Sequence, residues 1–170
     1  MEFVSRKQGR STILEVNDAT LIFKNFEGRA DKFNREGDRN FAVLIPNEDI
    51  ADALMNDKNE HGVGWNVKVR PPREEGEDPF MFLKVKIKFN SRGPAIYLRV
   101  GDRDPIRLNE DNVDCLDRID IESVDLDIRS YDDVVNGSPC RAAYLQAMHV
   151  TQKIDRFAAR YVRDDEYDEY

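Results

Sequence analysis

Hydrophobic and polar residues alternate from residue 80 to residue 89, which predicts a β-strand with one face toward a core. The core-facing positions are Met81, Leu83, Val85, Ile87 and Phe89. The opposite face carries two phenylalanines and three lysines: Phe80, Phe82, Lys84, Lys86 and Lys88. Rings and ammonium groups on one solvent-facing surface suit a ligand that is flat and negatively charged, and single-stranded nucleic acid is both.

Two further segments alternate in the same way, at residues 65–70 and 94–100. If these strands share a sheet with residues 80–89, their outer faces combine six cations and three aromatic rings. These residues are Lys68, Arg70, Phe80, Phe82, Lys84, Lys86, Lys88, Tyr97 and Arg99. In that arrangement the cations pair with phosphates and release counterions, while the rings stack on bases of any sequence. Arg92, in the turn between the two later segments, would extend the row of phosphate contacts.

A purely structural explanation of the same residues stays open. Lysines on an exposed strand commonly guard it against pairing with another chain. Phe80 and Phe82 can also be covered by a loop or by a partner subunit. The strand predicted at residues 123–130 turns Asp125 and Asp127 outward. Outward-facing lysines are therefore not common to all the predicted strands of this chain.

The rest of the pattern predicts mostly strands. The clearest are residues 12–16, 19–26, 39–45, 123–130 and 140–150. Residues 90–93 predict a hairpin turn between strands 80–89 and 94–100, and Asn136-Gly137 is a strong turn signal before the last strand.

Short helices are predicted between the strands. Asn47 can cap a helix at residues 48–57, and a second short helix is predicted at 109–118. Thr151 is predicted to cap a last helix, whose apolar positions share one face: Ile154, Phe157, Ala158 and Tyr161.

These elements predict a mainly β fold, in the sense of a β-rich α+β arrangement. The expected architecture is a partly closed β-barrel like the oligonucleotide-binding (OB) fold, with short helices and additional strands. We find no internal repeat and no long linker, so we expect one OB-like nucleic-acid-binding domain at residues 1–163 and an acidic tail at residues 164–170.

The polar loop at residues 27–38 is long for a compact domain, and long loops are often functional. Its basic and aromatic residues, together with the residue after it, are Arg29, Lys32, Phe33, Arg35 and Arg39. Because acids nearly balance the bases, a clamp on a nucleic-acid strand and a solvated loop both fit the pattern. From this region we take Arg35 and Arg39 as candidate DNA-binding residues.

Composition favours an intracellular protein. The 170 residues are 40% hydrophobic, with no apolar run of membrane length and no signal-peptide pattern at the start. Cys115 and Cys140 have no metal-binding spacing, which predicts reduced thiols in a cytoplasmic protein without cofactors.

The net charge of −8 would repel phosphates if it were spread evenly. It is segregated instead. Residues 65–107 hold ten basic against six acidic residues, whereas residues 46–64 and 108–163 are each acidic. Since the local field decides where an anion docks, the basic middle of the chain stays a candidate for DNA.

The last seven residues carry five acids and no base. The candidate partner-binding residues there are Asp164, Asp165, Glu166, Asp168, Glu169 and Tyr170. Such a segment repels itself and does not fold alone, so it can serve solubility only. It can also occupy the basic surface in competition with DNA, or offer its terminal aromatic residue to partner proteins.

At this point the chain resembles single-stranded DNA-binding proteins, which commonly end in an acidic tail with a terminal aromatic residue. The segments 33–41, FNREGDRNF, and 65–72, WNVKVRPP, are similar to small replication proteins of bacteriophages and prophages. The resemblance implies an OB-fold that coats single-stranded DNA in replication or recombination, without catalysis. Replication or recombination proteins would dock on the tail, and a homodimer is compatible with it. This chain ends in Asp-Glu-Tyr, whereas the best-known tails end in phenylalanine, so the docking partner need not be the same.

Two other functions fit parts of the sequence. The acidic segments could mimic DNA in a non-catalytic inhibitor of a host enzyme. The acids Asp111, Asp114, Asp117, Asp120 and Asp125 could suggest a metal-dependent nuclease. Their spacing is more typical of a solvated helix face, and neither His61 nor His149 has a metal-binding neighbour in the sequence, so no metal site is expected.

Overall fold

Ten β-strands form a single sheet in the computed structural model, which describes residues 1–154. The strands are β1 (Glu2–Gln8), β2 (Ser11–Asn17), β3 (Leu21–Asn25), β4 (Arg39–Ile45), β5 (Val67–Arg70), β6 (Phe80–Ile87), β7 (Ala95–Val100), β8 (Ile106–Leu108), β9 (Ile121–Val135) and β10 (Ser138–Gln152). Within the described residues, helical structure is limited to α1 (Glu48–Asn56) and a 3₁₀ segment (Val113–Asp117). None of the helices in residues 1–154 is long and apolar enough to span a membrane.

The order of strands in the sheet is β1-β2-β9-β10-β6-β4-β3. β5 pairs with β6, and β7 lies between β10 and β8. Neighbours are antiparallel except that β10 runs parallel to both β6 and β7. The mainly β fold class is confirmed, although the sheet does not close, since β1 and β3 stand at its two ends.

The long hairpin of β9 and β10 lies at the centre of the sheet. Its turn is Asn136-Gly137, as predicted, and both residues have positive φ, at 51° and 79°. Two consecutive left-handed residues give the turn whose twist matches that of antiparallel strands, and Asn-Gly is the pair that tolerates it best. Each arm has 15 residues, and the pairing shifts register between Leu145 and Ala147.

The core lies on the inner faces of β2, β4, β6, β9 and β10. In β6 the alternating positions from Met81 to Ile87 are all buried, which is the face that the sequence pattern predicted. Ala51 and Leu54 of α1 join the same core, as do Val113 and Leu116 of the 3₁₀ segment. Full burial of such a side chain is worth about 1.5–3 kcal/mol, so these layers hold the sheet in shape.

Helix α1 begins as predicted, since the side chain of Asn47 accepts a hydrogen bond from the amide of Ile50 at 2.9 Å. After the helix, a Cβ on Gly64 would lie 2.1 Å from the carbonyl oxygen of Met55, so only glycine permits this approach. The close contact leads the chain back under the helix and buries Trp65.

A buried arginine ties the long hairpin to this helix. The Arg141 side chain is 2% exposed, and its Nε lies 2.8 Å from Asp132 across the hairpin. It also donates to the carbonyl of Asp57 at 2.9 Å and stacks 5.1 Å from the Trp65 ring centre. Removing one partner from a buried ion pair costs about 3–5 kcal/mol, so this contact fixes where the hairpin leaves the core.

Two sequence predictions are corrected, and two strands were not predicted. The predicted hairpin of strands 80–89 and 94–100 is wrong, because β6 and β7 do not pair with each other. Both run along the same edge of β10, one after the other, with the tight turn at 90–93 between them. Thr151 is not a helix cap, since it pairs with Arg99 and Ser123 inside β10. β1 and β8 were missed.

The other elements were placed within a few residues of their observed bounds. Most of the predicted last helix and all of the acidic tail at 164–170 lie outside the described residues.

Candidate nucleic-acid interface

Three phenylalanine rings meet on the outer face of β3 and β6. The ring of Phe23 lies edge-on to Phe82 at 5.3 Å and to Phe80 at 6.1 Å, and Phe80 and Phe82 are 5.7 Å apart. Phe23 is 53% exposed and Phe80 is 37% exposed. Arg70 lies opposite Phe80 on β5, and its guanidinium stands 5.3 Å and 5.4 Å from the rings of Phe23 and Phe82. Rings held at these angles and capped by a cation form a surface on which a base can stack.

Phe23 reaches this cluster because β3 carries an extra residue. The pairing of β3 with β4 shifts between Ile22 and Asn25, so three steps on β3 match two steps on β4. Phe23 sits at φ 51°, a left-handed conformation that is uncommon for an aromatic residue. The bulge turns Phe23 outward, while the next residue, Lys24, donates to the carbonyls of Leu116 and Ile119 beside the 3₁₀ segment.

Three lysines continue the face along β6 and one residue past its end. Lys84, Lys86 and Lys88 are all exposed and occupy alternate positions, which we call the lysine row. Across the strand pairs, Lys84 faces Ala42 of β4 and Lys68 faces Phe82. Within residues 1–154, no carboxylate lies within ion-pair distance of the lysine row, Lys68 or Arg70. Their charges are therefore uncompensated by local partners and produce a positive field over the aromatic cluster.

A cleft of about 610 Å³ opens beside the rings, which we call the phenylalanine cleft. Its walls include Phe23, Phe82, Arg70, Lys84 and, from the loop at 27–38, Phe33. Phe33 is 89% exposed, which leaves almost all of a large apolar ring in water. A ring at that position is free to cover a base that enters the cleft.

The loop that carries Phe33 is held by asparagine side chains. The amide of Asn34 donates to the carbonyls of Arg29, Arg35 and Asp38 at 2.8–3.1 Å. Asn25 accepts from the amides of Gly28 and Arg29, and Asn40 donates to Asn34 at 2.9 Å. These bonds satisfy several of the loop's backbone groups and hold the segment that presents Phe33 beside the cleft.

The remaining predicted residues are placed elsewhere or are engaged. Tyr97 and Arg99 lie on β7, beyond the end of β6, where Tyr97 stacks on His149 with ring centres 4.9 Å apart. They share the sheet with β6 but are not beside it. Arg39 donates to the carbonyl of Phe26 at 3.0 Å and pairs with Glu110 at 3.4 Å, so it links β4 to the loop before the 3₁₀ segment.

Arg35 is 92% exposed in the loop and lies 3.6 Å from Asp38. Lys88 and Arg92 line a second cleft at the far end of the lysine row.

Three of the five acids that suggested a nuclease have structural partners. Asp117 accepts from the amides of Phe26 and Glu27 at 2.8 Å and 2.9 Å, and Asp114 pairs with Arg118 at 3.0 Å. Asp125 accepts from the amide of Asp18. Within residues 1–154, no three histidine, cysteine or acidic side chains converge as metal ligands.

One carboxyl group on the sheet has a perturbed pKa. Partial burial raises the pKa of Asp127, and the charge of Glu15, directly opposite on β2, raises it further. The charges of Arg6 and His149 lower the pKa of Asp127. Asp127 lies on β9, two strands away from β6 and its lysines, so the perturbation concerns stability and not the candidate interface.

Phe23 was missed as a site residue, because alternation along residues 19–26 gives no hint of the bulge. Tyr131, Tyr144 and Arg129, which line the second cleft, were missed too. They lie on β9 and β10, where an alternating pattern without clustered cations gave no signal.

Comparisons with known proteins give a matching family model and a shared fold. A family model described as "Putative phage ssDNA-binding domain" matches residues 4–170. The solved structure of the single-stranded DNA-binding protein from bacteriophage Enc34, as a C-terminal truncation, is 13% identical with a TM-score of 0.51. The match covers 91% of this chain and 97% of that chain, and at this identity it shows a shared fold only. The structure of the Enc34 protein in complex with ssDNA is 10% identical, with a TM-score of 0.49 and coverage of 92% and 98%. No curated protein sequence matches this chain.

Proposed function

This chain belongs to the phage ssDNA-binding domain family, and on that premise we propose that it binds single-stranded DNA on the outer face of β5 and β6. The observation that carries the proposal is the cluster of Phe23, Phe80 and Phe82 under Arg70, with the lysine row beside it. Exposed rings and cations without local partners are the two components that sequence-independent single-strand binding requires.

Each component has a distinct role. The rings stack on bases, and Phe33 covers a base in the phenylalanine cleft from the loop side. Lys68, Arg70 and the lysine row contact phosphates, which displaces counterions and makes binding depend on salt. Because every base has a flat face and every nucleotide a phosphate, this chemistry does not distinguish sequences.

We further propose that the protein coats DNA during phage replication or recombination. The acidic tail at 164–170 then competes with DNA for the basic face and recruits replication or recombination proteins. The segregation of charge along the sequence supports this role, since the tail and the lysine row have opposite signs.

The test is replacement of one stacking ring. Phe82→Ala removes the ring that contacts Phe23, Phe80 and Arg70, and it should weaken binding of labelled oligo-dT by about 1–3 kcal/mol, or roughly 5- to 150-fold. Fluorescence anisotropy measures the dissociation constant. Phe82→Trp keeps an aromatic face and should restore most of the affinity.

Val69→Ala is the matched control, because Val69 lies on β5 beside these residues but points to the other face of the sheet. It should bind as the wild type does. If Phe82→Ala unfolds in urea like the wild type and binds oligo-dT with unchanged affinity, the outer face of β6 is not the binding surface.

A further inference from the structure

A second cleft, of about 640 Å³, lies at the far end of the lysine row. We call it the tyrosine cleft. Tyr144 of β10 lies directly across from Lys86, whose Nζ is 6.0 Å from its ring centre. Tyr131 of β9 meets Tyr144 edge-on, with ring centres 6.1 Å apart at 84°. Tyr131 is 52% exposed, so this ring contributes little to the core and has a free face.

Three cations surround the two rings: Lys88, Arg92 and Arg129. Arg129 is fixed by its position opposite Tyr144 in the hairpin, and Arg92 by a turn in which its amide donates to Asn90 at 2.9 Å. Within residues 1–154, none of the three lies in an ion pair, and no acidic residue lines the cleft. Gln146, Asn90 and Ser91 add polar groups at its rim. The walls therefore combine aromatic faces, positive charge and hydrogen-bonding groups, the set that suits a nucleotide.

We propose that the tyrosine cleft is a second nucleotide-binding subsite for the same DNA strand, a role that rests on the function proposed above. Tyr131 and Tyr144 stack on bases, and Lys88, Arg92 and Arg129 contact the phosphates between them. The subsite extends the interface from β6 onto the long hairpin.

The geometry gives the path of the strand. Lys86 is four positions after Phe82, which corresponds to about 13 Å along β6. From β6 the sheet continues to β10 and then β9, at about 4.8 Å a step. The two clefts are therefore on the order of 16 Å apart, joined by the lysine row. At 3.4 Å for each nucleotide of a stacked strand, that distance takes about five nucleotides.

The proposal therefore predicts that the effect of mutating the tyrosine cleft on DNA affinity depends on the length of the oligonucleotide. An oligonucleotide of about 4 nucleotides can occupy the phenylalanine cleft alone, whereas one of about 16 can occupy both, and these lengths bracket the site sizes of OB folds. The experiment uses the full chain with Tyr131→Ala and Tyr144→Ala combined, and labelled oligo-dT of both lengths. The double variant should bind the long oligonucleotide at least about tenfold more weakly, since each lost stack is worth about 1–3 kcal/mol. The short one should bind unchanged.

Controls separate this proposal from the proposed function. The double variant Tyr131→Phe with Tyr144→Phe keeps both rings and should bind both lengths as the wild type does. Phe82→Ala should weaken both lengths. If Phe82→Ala weakens binding but the double alanine variant binds the long oligonucleotide normally, the second subsite is refuted and the proposed function stands. Equal weakening at both lengths also refutes it, because the two clefts would not be separate subsites. If Phe82→Ala has no effect at either length, the proposed function itself fails.

Discussion

The lysine row offers the sharpest quantitative test of the interface. Lys84 and Lys86 occupy alternate positions on one exposed face of β6, about 6.7 Å apart along the strand, and Lys88 follows directly after its end. Each has room to contact one phosphate. The perturbation is the triple variant in which all three become glutamine, which keeps the length of the side chain near that of lysine and removes the charge. The buried face of β6 is untouched, so the fold should be preserved.

The magnitude follows from counterion release. Each phosphate neutralised on a single strand contributes about 0.7 to the slope of log affinity against log salt concentration. Three lost contacts therefore reduce the slope by about 2. Between about 50 and 200 mM salt, the wild type should lose roughly 20-fold more affinity than the triple variant does.

The assay is a series of anisotropy titrations with oligo-dT across that range of salt. A matched control replaces Lys7, Arg10 and Lys58 by glutamine, which lowers the net charge by the same three units. Lys7 and Arg10 belong to the hairpin of β1 and β2, and Lys58 follows α1. If the control changes the slope as much as the triple variant does, the total charge governs binding, and the reasoning from the lysine row is wrong.

Two further predictions concern the tail and the sheet. Deletion of residues 164–170 should tighten oligo-dT binding, most at low salt, because five acids no longer compete for the basic face; unchanged affinity in the same titration would exclude competition. Asp127→Asn should raise the urea midpoint at neutral pH. The folded-state pKa of Asp127 is raised, so its charge opposes folding above that pKa, and the gain should vanish as the pH falls below the ordinary aspartate value of about 3.9. A lower midpoint for Asp127→Asn at neutral pH would contradict the assignment.

The alternation of hydrophobic and polar residues predicted the individual strands well and their pairing less well. β4 and β6 were placed almost to the residue, because each buries one face and a shift by one position would turn that face into water. β1 was missed, since most of its residues are exposed and it is held mainly by its pairing with β2. A strand of that kind has no pattern of its own to detect.

The error over β6 and β7 has a physical cause. A tight turn at 90–93 between two strands normally makes a hairpin, and the turn is present, with Asn90 bonded to Gly93 through both backbone groups. The strand that both β6 and β7 pair with is β10, which begins more than 50 residues further along the chain from β6. β10 is long enough to pair with β6 near Tyr144 and with β7 from Ala147 onward. Such distant pairing leaves no mark in the segment itself.

In the candidate site, too, the alternation of hydrophobic and polar residues predicted some of the residues and not others. Phe82, Lys84 and Lys86 were predicted on one face because regular strand geometry puts them there. Phe23 would fall on the core side of a regular β3, since Leu21, two residues earlier, pairs with the buried Val43. One extra residue reverses its direction and adds the third ring to the cluster. Strain in a bulged strand persists only where surrounding contacts hold it, and here the carbonyls of Leu116 and Ile119 anchor Lys24, the residue after Phe23. The anchoring of Lys24 and the outward turn of Phe23 are therefore two results of the same bulge, and the proposed binding surface depends on a departure from the pattern that predicted the rest of it.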